Sequence, residues 1–182
     1  MNAATKIQFQ PVVVRLRDGT EATVRAIRED DADMLQAAIQ ALSAESRFTR
    51  FFSAMPELTP KMLDRAIHPE ANADFQLVAV VGVGSAQQIV AGARYACMKT
   101  EGDCEFAVAV VDSWQGRGLA RLLLETLIRE ACARGLAHME GYILTHNAAM
   151  LDLAKRLGFV RVASQEDPSV CVVRLDLGSV AS

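Results

Sequence analysis

The stretch Cys104-Glu-Phe-Ala-Val-Ala-Val-Val-Asp-Ser-Trp-Gln-Gly-Arg-Gly-Leu-Ala-Arg-Leu-Leu-Leu-Glu-Thr-Leu-Ile-Arg-Glu-Ala-Cys-Ala-Arg-Gly135 decides the fold. It reads as strand, tight loop and helix. Its first part is short, apolar and rich in Val and Phe, as a buried strand requires. From Gly116 the period becomes helical. Leu119, Leu122, Leu123, Leu127 and Ala131 form one stripe, and Arg117, Arg121, Glu125 and Arg129 recur on the other face. On that face the spacing predicts Arg121–Glu125 and Glu125–Arg129 pairs. Gly135 stands where a helix C-terminal glycine is expected.

The loop between them, Gln115-Gly-Arg-Gly-Leu-Ala120, carries the chemistry. The first N–H groups of a helix have no partner inside it, and its dipole makes them favour an anion. Glycines at 116 and 118 let a phosphate approach the backbone closely. The loop is neither the Gly-x-Gly-x-x-Gly dinucleotide fingerprint nor a P-loop. On its own, it reads equally well as a turn that needs glycine.

Its surroundings carry more. Gln115-x-x-Gly118-x-Ala120, after an apolar strand and before an amphipathic helix, resembles the acyl-CoA-binding motif of the GCN5-related N-acetyltransferase (GNAT) superfamily. Asn147-Ala-Ala-Met-Leu-Asp-Leu-Ala-Lys-Arg-Leu-Gly-Phe159 resembles the next helix and strand of that family. Glu105-Phe-Ala-Val108 with Trp114-Gln-Gly-Arg-Gly118, Leu16-Arg-Asp-Gly-Thr20 with Val24-Arg-Ala-Ile-Arg28, and Leu42-Ser-Ala-Glu-Ser-Arg-Phe-Thr-Arg-Phe-Phe52 are similar to the bacterial protein-lysine acetyltransferase branch. With these stretches the resemblance covers nearly the whole chain.

The resemblance implies an α/β (α+β) domain. Its mixed, mostly antiparallel sheet has helices on both faces and one splayed parallel strand pair, with the pantetheine arm of acetyl-CoA between the two strands. Carried over, Val110 and Val111 offer backbone groups to that arm, and Gln115, Gly116, Arg117, Gly118, Leu119, Ala120 and Arg121 hold the phosphates. Asn147 is an N-cap, a contact to this co-substrate, or both. Glu105 takes the place of the family's general base. No metal is implied.

Amine acylation needs a neutral amine beside a thioester, hence a base. Glu105 is a lone carboxylate beside an apolar run, where burial would raise its pKa into the useful range. From Glu105 to Val111 the strand spans about 20 Å, comparable to an extended pantetheine arm. Alternatively, Glu105 is a strand-end residue in solvent or paired with Arg94. Many family members place a tyrosine at the position of Ala154 to protonate the leaving thiolate. Here Ser46, Tyr142 or a water replaces it, or the thiolate leaves unaided, since a thiol's pKa lies not far above neutral.

At 182 residues the chain reads as one domain over 11–177, with flexible tails at 1–10 and 178–182. The protein-acetylating members often carry a fused regulatory domain; the expectation here is a catalytic domain alone. A net charge of −3 gives no basic footprint for nucleic acid. No apolar run is long enough to cross a membrane. Cys97, Cys104, Cys132 and Cys171 show no metal spacing, and neither do His68, His138 and His146. Cys97 and Cys104 can face each other across a hairpin, but reduced core thiols and a cytoplasmic setting are expected.

Elsewhere, Asp18-Gly19 between two alternating runs predicts a β-hairpin. Asp30 and Asp31 supply caps for a helix to about Leu42, Ser43 restarts one, and Thr59-Pro60 starts a third. Phe48, Phe51 and Phe52 read as a core cap, and Arg47 and Arg50 as solvent-facing. Strands at Phe75–Val83, Ile89–Met98 and Cys104–Val111 form a meander; Ala137–Leu144, Phe159–Ala163 and Val170–Leu175 complete the sheet. The expected activity is transfer of an acetyl group from acetyl-CoA to a primary amine, with a protein lysine among the acceptors implied. The alternatives are a small-molecule amine acetyltransferase and a non-catalytic acyl-CoA sensor.

Overall fold

The computed structural model describes residues 9–53, 55–70, 73–163 and 167–180. Eight strands form one sheet in the order β1-β2-β3-β4-β5-β6-β8-β7. They are β1 (Val12–Arg15), β2 (Glu21–Ala26), β3 (Asp74–Val81), β4 (Gln88–Cys97), β5 (Asp103–Val110), β6 (His138–Leu144), β7 (Val160–Val162) and β8 (Val170–Asp176). Every neighbouring pair is antiparallel except β5–β6, which the crossover helix α4 (Leu119–Ala133) makes parallel. The other helices are α1 (Ala32–Gln40), α2 (Ala44–Phe51), α3 (Pro60–Ile67) and α5 (Ala148–Arg156).

Alternation along the strands divides the core. In β3, Leu77, Ala79 and Val81 pack with Leu119, Leu123 and Leu127 of α4, while Val78 and Val80 pack with Leu35 and Ile39 of α1. A strand covered on both faces must be apolar throughout, and seven consecutive β3 residues are buried. The buried face of α4 is wider than a single stripe, since Leu124, Thr126 and Ile128 are buried as well. Arg121 pairs with Glu125 at 2.8 Å, whereas Arg129 turns to the Thr126 hydroxyl at 3.3 Å rather than to Glu125.

The caps follow local chemistry. Ser43, Thr59 and Asn147 each accept the N–H three residues on, from Ser46, Met62 and Met150. Asp31 departs from the expected cap. Its carboxylate accepts from Arg25 and from the Arg28 N–H instead. Phe9 meets Phe75 edge-on at 6.0 Å, and residues 178–180 form a hydrogen-bonded turn after buried Leu177. Residues 1–8 and 181–182 lie outside the described residues. Cys97 and Cys104 are register partners not joined in a disulfide, and burial pushes Cys104 up to about 12. No helix among the described residues is long and apolar enough to cross a membrane.

Candidate active site

The feature that makes a site is where β5 and β6 part. Pairing covers only Asp103–Glu105 against His138–Glu140. An ionic clamp holds that end: Asp103 takes His138 Nδ1 at 2.9 Å and Arg174 at 3.2 Å, and Arg174 also takes Glu140 at 3.1 Å. Beyond it a wedge enters. Phe106 lies against Gly141, where any Cβ would come within 2.3 Å of its ring, and packs at a tilt against Phe159 with ring centroids 5.1 Å apart. Only glycine at 141 leaves room for that ring.

The separation leaves β5 with free backbone. Val111 donates to the Val90 carbonyl at 2.9 Å, and Met98 donates to the Asp103 carbonyl at 2.8 Å. With Ala91 opposite Val110, these bonds fix the alternation. The N–H and C=O groups of Phe106, Val108 and Val110 therefore point away from β4, toward the gap. Val111, expected to serve a ligand, gives its N–H to the sheet instead.

A cleft of about 670 Å³ fills the gap. At one end lies the loop before α4, with Gly116 at φ 76° and Gly118 at φ 93°. Both values lie in the left-handed region that favours glycine. Nothing lies within 4 Å of a Cβ built on Gly116, so backbone conformation and not crowding explains that residue. The turn aims the N–H groups of Leu119, Ala120 and Arg121 outward, because the helical ladder begins with Leu122 donating to Gly118. Gly118→Ala is therefore expected to weaken acetyl-CoA binding about tenfold, through strain in this turn; calorimetric titration checks it.

Of the residues expected to bind the co-substrate, Val110, Gln115, Gly116, Gly118, Leu119, Ala120, Arg121 and Asn147 line the cleft. Val111 and Arg117 do not. Arg117 braces the loop from outside: it ion-pairs with Asp18 of the β1–β2 hairpin, donates to the Ser113 carbonyl at 3.0 Å and covers the Trp114 ring at 4.3 Å. Arg17, from the same hairpin, does line the cleft, bringing a positive charge to the loop end that no sequence motif announces.

Glu105 lines the other end and is exposed, so the burial expected from its apolar neighbours is absent. Arg94 is turned to Asp74, 3.6 Å away, rather than to Glu105. Tyr142 also lines the cleft and is 39% exposed. Ala154 is fully buried. The wall over this end is α2, which supplies Ser46, Thr49, Arg50 and Phe51, with Phe52 just beyond it. Phe48 and Phe52 are exposed rather than capping the core. Arg47, read as facing water, donates to the Leu42 carbonyl at 2.5 Å; Arg50 faces the cleft.

Asp112 docks α2 onto the cofactor loop. It accepts from the Ser43 N–H at 2.9 Å, the Ser43 hydroxyl at 2.7 Å and the Ser46 hydroxyl at 2.9 Å. Burial pushes its carboxyl up, and those hydrogen bonds outweigh it, leaving the pKa lowered. Gln115 reaches both Ser46 Oγ and the Val110 carbonyl. Asp112→Ala is expected to cost about 1 kcal/mol of stability and to raise the KM for the acceptor more than that for acetyl-CoA. Urea unfolding and steady-state kinetics check both.

A splayed parallel pair, ending in a glycine loop at a helix N-terminus, suits an elongated ligand with phosphate at the loop end. The comparisons with known proteins agree. Residues 22–160 match the family described as "Acetyltransferase (GNAT) domain". An acetyltransferase of Pseudomonas aeruginosa is 33% identical over 165 residues, covering 91% of this chain and 89% of that one. Acetyltransferase Pat of Mycolicibacterium smegmatis is 29% identical over 93% of this chain, which spans half of that relative's length. The crystal structure of the GNAT domain of S. lividans PAT superposes with TM-score 0.81 and 28% identity, covering 97% of this chain and 99% of that domain. The chain belongs to the GNAT acetyltransferase family. It is an acetyl-CoA-dependent N-acetyltransferase, with acetyl-CoA as co-substrate.

Proposed function

We propose that the protein acetylates the side-chain amine of lysine in other proteins, by direct attack on acetyl-CoA, with Glu105 as the base. One observation carries the reading: a single cleft runs from the glycine loop along the free edge of β5 to an exposed carboxylate. At the loop end, the N–H groups of Leu119, Ala120 and Arg121, with Arg17, take the phosphates. The outward backbone groups of Val108 and Val110 take the arm. Glu105 accepts a proton from the ammonium, the neutral amine attacks the thioester carbon, and the C–S bond breaks as CoA leaves as thiolate. Tyr142 is the cleft hydroxyl on β6 from which that thiolate takes a proton, and the second proton leaving the newly acylated nitrogen restores the hydroxyl.

An exposed base at an open end can be reached by a lysine standing on a folded protein. The resemblance of residues 16–28 and 42–52 to the protein-lysine acetyltransferase branch supports the same acceptor. Residues 11–177 act as one catalytic domain, and cysteines outside disulfides suit a reducing, cytoplasmic setting. The test is labelled acetyl-CoA offered with folded proteins and, separately, with a panel of free amines. Label on protein lysines is expected; label on free amines alone would sink the lysine reading.

A further inference from the structure

Among the described residues, Arg50 is the one charge lining the acceptor half of the cleft that this chemistry leaves unused. It lies in the last turn of α2 and borders both the cleft and a small adjoining cavity of about 50 Å³, shared with Gln76 and Arg94. It is half-buried, and its guanidinium has no hydrogen-bond or ion-pair partner among the described residues. Its guanidinium lies over the ring face of its neighbour Phe51, at 4.8 Å. Desolvation and the repulsion of Arg94 bring it down to about 10, against the attraction of Glu105, so it remains a cation at neutral pH.

A partly desolvated cation without an acceptor is costly, and an arriving anion offsets that cost. The guanidinium fork matches a carboxylate in bidentate fashion. Glu105, of opposite charge, lines the same end within electrostatic range of Arg50, yet no hydrogen bond or ion pair joins them. The two therefore present a negative and a positive group side by side to whatever enters. An acceptor that fits carries the reverse pattern, an amine for Glu105 and an anionic group for Arg50.

We propose that Arg50 selects acceptors, binding a carboxylate that the acceptor carries close to its reactive amine. This rests on the acetyl-transfer reading above. The carboxylate has two sources: an Asp or Glu side chain flanking the target lysine in a peptide, or the α-carboxylate of a free amino acid.

Matched acceptors separate the two. Lysine peptides with Glu beside the lysine are compared with the same peptides carrying Gln, and free amino acids with their amides. Values of kcat/KM are measured on the wild type, Arg50→Gln and Arg50→Lys. In one of the two series, the carboxylate member is expected to be favoured about tenfold or more in the wild type. That preference should vanish in Arg50→Gln and persist in part in Arg50→Lys, with acetyl-CoA affinity by calorimetry unchanged throughout.

Equal rates for both members of every pair in the wild type overturn the inference without need of a variant. So does a preference that survives in Arg50→Gln. An equal loss on all acceptors would make Arg50 a positioning residue for Glu105, and a loss of acetyl-CoA affinity would assign it to the co-substrate; both overturn it. If the wild type acetylates none of the acceptors, the acetyl-transfer reading falls together with this inference.

Discussion

Glu105→Gln lowers kcat for amine acetylation by about 10²–10⁴-fold, the range general-base catalysis contributes, while the Kd for acetyl-CoA stays unchanged. The amide keeps the shape and the neighbours of the carboxylate but cannot take a proton. Glu105 stands at the last position of the β5–β6 pairing, and the phosphate loop lies beyond the far end of β5, so the substitution leaves that loop untouched. The loss should shrink as pH rises, because more of the acceptor amine is then already neutral and less depends on the base. Stopped assays of acetylation between pH 7 and 10, with calorimetric titration of acetyl-CoA, provide the check. An unchanged rate at pH 7 would remove Glu105 as the base. A lost acetyl-CoA affinity would mean that the residue supports the fold of the cleft.

The exposure of that same glutamate shows where sequence reasoning stops. Helix α4, strand β5 and the glycine loop were legible because each is a local pattern: a change of period, an apolar run, small residues at a helix start. The caps Ser43, Thr59 and Asn147 were legible for the same reason. Glu105 reads as buried because Phe106 to Val111 beside it are apolar. Its exposure arises from a long-range event, the end of strand pairing at the next strand, which no window of sequence contains. Arg50 fails in the opposite sense. A cation on a short helix reads as solvated, but α2 is docked through Ser43, Ser46 and Asp112 with Arg50 turned toward the sheet. Arg117 and Arg17 exchange roles through the hairpin. Asp18 captures Arg117 from outside the loop, and Arg17 is left to line the cleft. Periodicity shows which face of an element is apolar; what a polar residue meets there depends on packing between elements far apart in sequence.

Asp31 makes the same point energetically, and its removal carries the largest expected effect on stability. Arg25 donates to both carboxylate oxygens at 2.6 Å, the Arg28 N–H adds a third bond at 2.8 Å, and the pair is buried, with Arg25 6% and Asp31 0% exposed. Asp31→Ala strands the guanidinium without its counter-charge, at an expected cost of about 3–5 kcal/mol by urea unfolding. Replacing both partners by apolar residues, as in Arg25→Met with Asp31→Leu, should recover much of that loss, because neither charge is then buried alone. If the double variant is as unstable as Asp31→Ala, the cost lies in packing and not in the unpaired charge. The pair also sets a pH dependence. Burial pushes the Asp31 carboxyl up, but the hydrogen bonds from Arg25 and the Arg28 N–H, with the charges of Arg25 and Arg28, leave it below its ordinary value. The folded state therefore holds the ionised form more firmly than the unfolded chain does. That stabilisation is fully present above the unfolded value of about 3.9 and is lost as pH falls through the lower folded value. Wild-type stability should fall toward that of Asp31→Ala below about pH 4, narrowing a gap that is constant near neutrality. The junction of β2 and α1 would loosen first. α1 leads directly into α2, so acceptor binding should weaken before the acetyl-CoA loop on the far side of the cleft is affected.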